Sequence, residues 1–243
     1  MTFSVEDNRL HLHIDAPHQQ VLPYYPQYNI YNKTNLAIED YNNPQNCVGH
    51  QQRAYLNYWA IRSFVESKGG IGLDVGSAGV EHVGCLSTDK IGNGETPEYG
   101  GVMQGVHLKI DANDLSVFGS DAFSCLISNH VVEHLQCSRL QGWEKPEDKY
   151  RLNCDASELQ EIFRNHWIRV VRPGGYIVGI FPDEDVAAKN NSSILFYDPH
   201  HMHRLGSKSF FQNVLNHLRD VVQILEYDTL KNGFSINFSL QKK

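Results

Sequence analysis

The chain has 243 residues, of which 41% are hydrophobic and 20% charged, a composition typical of a globular protein that can bury an α/β core. Its formal net charge of −7 argues against a general nucleic-acid binder, which needs a basic face. The longest apolar runs, such as residues 176–181, are too short to cross a bilayer, and the first residues lack the pattern of a secretory signal.

The predicted elements fall into two regions of the chain. Residues 1–47 are rich in Asn, Gln, Tyr and Pro and show no sustained helical or strand period, which predicts an irregular surface arm or a lid. Residues 48–243 predict one domain. It opens with a helix that begins near His50 and ends at Gly69. Its apolar face repeats at helical spacing at Ala54, Tyr58, Ile61 and Val65.

Alternating strands and helices follow this helix. Short apolar runs predict strands at residues 71–75, 84–89, 106–110, 123–128, 176–181, 221–227 and 234–241. Amphipathic patterns predict helices at residues 157–171 and 206–219, and the "RPGG" at 172–175 predicts a tight turn. This alternation is typical of a mostly parallel sheet covered on both faces, and the last two strands predict an antiparallel ending.

The first of these strands runs into a glycine-rich turn, "DVGSAG", at residues 74–79. Small residues after a buried strand let the backbone approach a ligand closely, at the sheet edge where open α/β folds bind ligands. Asp89 ends the next strand, where a carboxylate can hold both hydroxyls of a ribose. Asp111 follows the third strand, where it can accept from an adenine amino group, and the Ala112 backbone can reach a ring nitrogen. These three strand ends predict a nucleoside cofactor.

The segment "SNHVVEHL", at residues 128–135, allows two interpretations. His130, Glu133 and His134 spell H-x-x-E-H, the inverted zinc-peptidase signature, which needs both histidines on one helix face and a third ligand downstream. The segment directly follows a predicted strand, so His130 falls at the strand end rather than inside a formed helix. We therefore reject the peptidase interpretation and expect His130 to face the cleft at the edge of the sheet.

Together these pieces resemble the class I S-adenosylmethionine-dependent methyltransferases, of the small-molecule kind often called type 11. The resemblance covers roughly residues 71–240, through "LDVGSAG", "DANDLSVFGSDAFSCLISNHVVEHL", "WIRVVRPGGYIVGIFPDE" and "FSINFSLQKK". It implies a Rossmann-like α/β fold, with a mostly parallel seven-stranded sheet, an antiparallel C-terminal strand and helices on both faces. The chain departs from the family in carrying G-S-A-G where alternating glycines are usual.

The resemblance also implies a role for each residue that matches a family motif. The turn after the first strand would surround the methionine moiety of S-adenosylmethionine, and its cofactor-binding candidates are Asp74, Gly76, Ser77, Ala78 and Gly79. Asp89 would contact the ribose, and Asp111 with Ala112 the adenine. Asn129 and His130 would flank the sulfonium and the substrate.

Methyl transfer from a sulfonium is an in-line displacement, and an oxygen acceptor also needs a base to take its proton. A histidine suits this task near neutral pH, so we predict that His130 is the base. Asp183, in "FPDED", is a second candidate or the group that orients the base. The predicted reaction is O-methylation of a small hydroxylated acceptor, such as a sugar or a secondary metabolite. N-methylation of a small amine, a non-catalytic cofactor-binding subunit and a nicotinamide-dependent oxidoreductase are the alternatives.

Two other segments offer residues for binding the acceptor. "YDPHHMHRLG" contains three histidines that could pack the loop, orient the acceptor or hold a divalent metal, and the resemblance favours His201 and His203 at the acceptor. Tyr24 and Tyr25, in the N-terminal region, could present aromatic faces to the sulfonium. We assign no metal as a cofactor.

Five cysteines without a C-x-x-C pair are typical of free thiols in a reducing cytosol. The sequence therefore predicts a cytoplasmic enzyme whose partner is a small molecule, with neither nucleic acid nor membrane as a partner. It leaves the oligomeric state open between monomer and homodimer.

Overall fold

The computed structural model of the chain describes residues 2–6, 9–13, 20–23, 51–66, 70–78, 82, 84–96, 101–135, 156–183, 208–229 and 235–243. The strands are β1 (Thr2–Glu6), β2 (Arg9–His13), β3 (Gln20–Pro23), β4 (Gly72–Val75), β5 (Cys85–Asp89), β6 (Leu108–Lys109), β7 (Phe123–Asn129), β8 (Val171–Pro182), β9 (Val222–Thr229) and β10 (Ser235–Lys242). The helices are α1 (Gln51–Glu66), α2 (Ala156–Ile162), which continues as a π-helical segment over Phe163–Ile168, and α3 (Lys208–Asn216).

Strands β4 to β10 form one sheet in the order β6-β5-β4-β7-β8-β10-β9. The pairs β4–β5, β4–β7, β5–β6 and β7–β8 are parallel, whereas β10 is antiparallel to both β8 and β9. The chain moves from β4 to one edge and returns beside β4 at β7, which places a topological switch point between these two strands. The order and directions confirm the predicted Rossmann-like sheet with its antiparallel C-terminal strand.

Apolar side chains cover both faces of this sheet. Tyr55 and Trp59 of α1 belong to a buried cluster with alternate residues of β7 and β8. The intervening residues of these strands belong to a second cluster, which contains Phe163, Trp167 and Phe211 from the helical layer of α2, the π-helical segment and α3. Burial on both faces explains why these strands are continuous apolar runs. In the described part of the chain, no helix is long and apolar enough to span a membrane.

Some element boundaries differ from those predicted. Strand β6 is shorter than residues 106–110 because Val106 directs both its backbone groups to the side chain of Asn93, at 2.6 and 2.9 Å. The predicted turn at 172–175 is an irregularity inside β8, since Val171 pairs with Phe123 while Tyr176 pairs with Cys125.

Three short strands lie in the N-terminal region, where no strand was predicted. β2 pairs in antiparallel fashion with β1 and with β3, so the three form a separate small sheet. The division of the chain at residue 47 into an arm or lid and a main domain stays a prediction.

Candidate functional site

The glycine-rich turn follows β4 at the carboxyl edge of the sheet. Gly76 has φ +61° and Ala78 has φ +48°, so the turn uses the left-handed region twice. Ser77 N donates to Thr88 O at 3.0 Å, which ties the turn to β5. A Cβ on Gly76 would overlap Val131 Cγ2, so the turn also packs directly against the segment that follows β7. Glycine is required here by both conformation and close approach.

Asp89 ends β5 and holds two loops together. Its Oδ2 accepts a hydrogen bond from Ala78 N at 2.9 Å, and its Oδ1 accepts one from Ile91 N at 3.0 Å. The residue is buried, with 7% of its surface exposed. The first of these bonds explains how an alanine keeps a left-handed conformation at position 78. Since a carboxylate offers about four acceptor positions, both oxygens can still accept from a ligand.

Asp111 and Ala112 follow β6 in the next loop. Asp111 Oδ1 accepts from Asn113 N at 2.9 Å and from Asn113 Nδ2 at 2.7 Å, which closes a tight turn. Ala112 is buried, and its carbonyl accepts from Trp167 Nε1 at 2.9 Å. Arg169 donates to the Leu115 carbonyl at 2.8 Å. The loop is thus held by the π-helical segment and by the residue that follows it.

Asp74 lies beneath the turn rather than at its surface. Its side chain is fully buried, and Oδ2 lies 2.7 Å from Nδ1 of His82, which is 2% exposed. The Asp74 carbonyl accepts from Thr88 Oγ1 at 3.0 Å. Asp74 therefore supports the turn from inside the fold, and the backbone of Gly76, Ser77 and Ala78 forms the surface above it.

At the switch point, Asn129 and His130 end β7. His130 N donates to Ile180 O at 2.8 Å, and its φ of +56° is unusual for a residue other than glycine. Asn129 Oδ1 is buried and accepts no hydrogen bond from the described residues. A left-handed backbone at His130 and a buried acceptor without a described donor at Asn129 each cost free energy of folding. Such local costs are found at functional sites.

The His130 side chain contacts Glu133. His130 Nδ1 lies 3.1 Å from Glu133 Oε1, and the histidine side chain is 31% exposed while the glutamate is fully buried. Burial acts to lower the pKa of His130, but the hydrogen bond and the negative charge of Glu133 outweigh it, so the pKa is raised above its ordinary value. Sequence analysis missed this role of Glu133. The signal was present as an acidic residue that directly follows two valines, Val131 and Val132.

Asp183 follows β8, the strand next to β7, and is 7% exposed. Burial and, second, the negative charge of Asp183 raise the pKa of Tyr227, a residue of β9. Tyr227 therefore lies close enough to Asp183 to interact electrostatically with its carboxylate. The two predicted catalytic residues, His130 and Asp183, stand at the carboxyl ends of adjacent strands. Tyr227 of β9 lies at the same edge of the sheet, and the sequence did not indicate this position.

The geometry around His130 disfavours the peptidase interpretation. His130 precedes a single 3₁₀ turn, Val132–His134, so the two histidines do not share an α-helical face. The described residues contain no group of three or more side chains that could hold a metal ion. Five other predicted site residues lie outside the described residues: Gly79, His201, His203, Tyr24 and Tyr25.

Comparisons with known proteins concern the fold. No protein-family model matches the sequence, and no curated protein matches it. Among solved structures, the chain is similar to the N-methyltransferase NodS from Bradyrhizobium japonicum, with 13% identity, coverage of 76% of this chain and 93% of that chain, and a TM-score of 0.44. It is also similar to a SAM-dependent methyltransferase from Methanosarcina mazei, with 14% identity, coverage of 71% of this chain and 92% of that chain, and a TM-score of 0.41. A third similar structure is a SAM-dependent methyltransferase from Mesorhizobium loti, with 12% identity, coverage of 72% of this chain and 91% of that chain, and a TM-score of 0.43. At these identities and TM-scores, none of the three structures assigns an activity to this chain.

Proposed function

We propose that this protein is an S-adenosylmethionine-dependent methyltransferase that methylates an oxygen of a small hydroxylated acceptor, such as a sugar or a secondary metabolite. One observation carries the proposal. The turn after β4 packs on Val131, the residue after His130, so a nucleoside bound along β4, β5 and β6 would end beside the histidine.

The residues at these three strand ends fit the parts of the cofactor. The backbone of Gly76, Ser77 and Ala78 would hold the methionine moiety, and Asp89 the ribose hydroxyls. Asp111 and Ala112 would hold the adenine, since Asp111 Oδ2 accepts no hydrogen bond from the described residues while Oδ1 is used by the turn. When bound, the cofactor supplies an activated methyl group.

The connection between β4 and β5 favours this cofactor over a dinucleotide. Residues 76–84 join the two strands, which is too short for a helix of the mean length of about 11–12 residues. A dinucleotide is usually bound through its pyrophosphate at the N-terminus of such a helix. A nucleoside without phosphates needs no such anion site.

His130 is the residue that we propose as the base. A neutral imidazole that donates from Nδ1 to Glu133 keeps its basic lone pair on Nε2, which can take the proton of the acceptor hydroxyl. Since the pKa of His130 is raised, the base becomes available at a higher pH than for an ordinary histidine. Asn129, with a buried and unused Oδ1, can accept from a donor group of the cofactor or the acceptor.

Asp183 is the second candidate for the base. Its charge acts on Tyr227, which supports a carboxylate and a phenol as candidate contacts of the acceptor. His201, His203, Tyr24 and Tyr25 are proposed to bind the acceptor, and residues 1–47 to form an arm or lid. A cytoplasmic location and the lack of nucleic-acid or membrane partners belong to the same proposal.

The test is turnover of methyl-labelled S-adenosylmethionine with fractionated small molecules of a cell extract. We expect one product class heavier by one methyl group, with the label bound to oxygen, and no transfer with the His130→Ala variant above a small residual rate. A label bound to nitrogen would replace the O-methylation proposal with N-methylation. No transfer to any fraction, despite cofactor binding, would indicate a non-catalytic binding subunit.

A further inference from the structure

We propose that Glu133 is a positioning residue for His130: it holds the imidazole with the proton on Nδ1 and keeps Nε2 as the proton acceptor. The inference rests on the proposed function, because it assigns a partner to the base of that reaction. Glu133 would act through His130 and would contact neither the cofactor nor the acceptor.

Burial is the first argument. Glu133 is fully buried, and the residues around it in the chain, Val131, Val132 and Leu135, are buried apolar core residues. Burying a carboxylate costs free energy unless it is paired and hydrogen-bonded. An apolar side chain at position 133 would stabilise the core more than a buried carboxylate does. The acidic residue therefore indicates a function that is kept at the expense of stability.

Backbone geometry is the second argument. His130 N donates to Ile180 O at 2.8 Å, and His134 N donates to Val131 O at 2.8 Å, which fixes the chain on both sides of the pair. These bonds place positions 130 and 133 so that Nδ1 and Oε1 meet at 3.1 Å. The left-handed φ of +56° at His130 turns the chain between the end of β7 and the 3₁₀ turn that carries Glu133. The backbone therefore brings the two side chains within hydrogen-bonding reach of each other.

Electrostatics supply the third argument. Glu133 is the charged group that raises the pKa of His130 against the effect of burial. Among the described residues, the same turn also carries His134, and Asp183 stands at the carboxyl end of β8, next to the strand that His130 ends. A charge that stabilises the imidazolium also stabilises the state formed when the base has taken a proton, so a carboxylate in this position favours proton transfer.

Glu133→Gln tests the proposal because it keeps the size of the side chain and removes the charge. We expect kcat to fall about 10- to 100-fold, less than the about 10²–10⁴-fold effect of losing the base itself. The KM for the acceptor and the cofactor affinity should stay within a few-fold. The acid limb of the pH–rate profile should move to lower pH, because the pKa of His130 falls without the charge. Glu66→Gln is the matched control, since it removes a carboxylate from α1 and should leave the limb in place.

A double-mutant comparison separates positioning from a structural role. If Glu133 acts only through His130, then Glu133→Gln should cost nothing further in kcat when it is added to His130→Ala. Additive losses would overturn the proposal.

Nitrogen-detected NMR of the imidazole gives a readout that does not depend on catalysis. In the parent protein at high pH, we expect His130 to carry its proton on Nδ1, and in Glu133→Gln we expect a lower pKa. A proton on Nε2 in the parent, or an unchanged pKa in the variant, would overturn the positioning role even if the variant folds poorly or no methyl transfer is found. If Glu133→Gln transfers methyl groups and its acid limb lies at the same pH as in the parent, the role of Glu133 is refuted and the proposed function stands.

Discussion

The two halves of the site differ in the contacts of the side chains that we propose to act on a ligand. Around β4, β5 and β6, side-chain oxygens accept from backbone N–H groups, as when Asp89 binds Ala78 N and Ile91 N. After β7 and β8, titratable side chains act on other titratable side chains, as His130 does with Glu133. Backbone-held loops keep a fixed shape, whereas titratable pairs respond to a proton. This difference is the basis on which we propose binding for the first half and proton transfer for the second.

The largest effect should come from the second half. In His130→Ala we expect turnover to fall by about 10²–10⁴-fold while cofactor affinity changes by no more than a few-fold. The rate of the parent should fall as the pH drops through a value above the ordinary imidazole pKa of about 6.5, because the pKa of His130 is raised. The variant should lose this acid limb, and pH–rate profiles of both proteins check it.

Two outcomes would move the base elsewhere. A His130→Ala protein with the parent's profile and nearly its turnover would direct attention to Asp183, and Asp183→Asn would then be the variant to measure. A variant that keeps the acid limb but loses affinity for the acceptor would make His130 a residue that shapes the pocket.

The next largest effect should come from Asp89, the centre of the first half. Asp89→Ala removes the acceptor of two part-buried hydrogen bonds, from Ala78 N and Ile91 N, at about 0.5–1.5 kcal/mol for each. The free energy of unfolding and the cofactor affinity should both fall, as measured by denaturant titration and by equilibrium binding. Asp121→Asn is the control, because this half-exposed aspartate lies at the opposite end of the sheet, asparagine tolerates its φ of +61°, and its pair with Lys242 is worth about 0–1 kcal/mol. Unchanged cofactor affinity in Asp89→Ala would leave this residue as a loop clamp only.

Trp167 should have a smaller effect on the same half. Trp167→Phe removes the hydrogen bond to the Ala112 carbonyl, worth about 1 kcal/mol, and loosens the loop that would hold the adenine. We expect weaker cofactor binding, and Trp59→Phe, on the opposite face of the sheet, should leave binding unchanged. If both variants bind the cofactor equally well, the hydrogen bond does not position this loop.

The smallest effect should be a gain in stability. Ala78 has a left-handed φ of +48°, which costs a residue with a Cβ about 1–2 kcal/mol, while glycine costs about 0.5–1 kcal/mol in chain entropy. Ala78→Gly should therefore raise the free energy of unfolding by about 0.5–1 kcal/mol in a denaturant titration. Ala60→Gly, inside α1, should lower it by about 1 kcal/mol. A loss of stability in Ala78→Gly would show that the bond to Asp89 does not hold a strained turn.

Sequence reasoning worked where position along a strand decides the outcome. The turn at Gly76, the acid at Asp89 and the acid at Asp111 each follow a recognisable apolar run, so their common edge could be predicted. Glu133 and Tyr227 were not assigned roles, because their contacts depend on geometry that the sequence pattern does not give. For Glu133 this is a 3₁₀ turn, and for Tyr227 it is the position of β9 beyond β10, which pairs with β8.

The strands β1 to β3 were missed for a different reason. They have five, five and four residues. Polar and apolar residues do alternate in β1 and β2, which indicates strands, but the Asn-, Gln-, Tyr- and Pro-rich composition of residues 1–47 obscures this short signal. Their pairing is visible only once the backbone is folded.

The central claim is that the first half of the site binds S-adenosylmethionine, and calorimetric titration of the whole protein tests it most directly. We expect saturable binding of S-adenosylmethionine and of its demethylated product, much weaker binding in Asp111→Ala, parent-like binding in the Asp121→Asn control, and no binding of NAD. At a hundredfold excess over Kd, the ligand should also stabilise the fold by about 2.7 kcal/mol. Tighter binding of NAD than of either sulfur compound, or equal binding in Asp111→Ala and its control, would contradict the account.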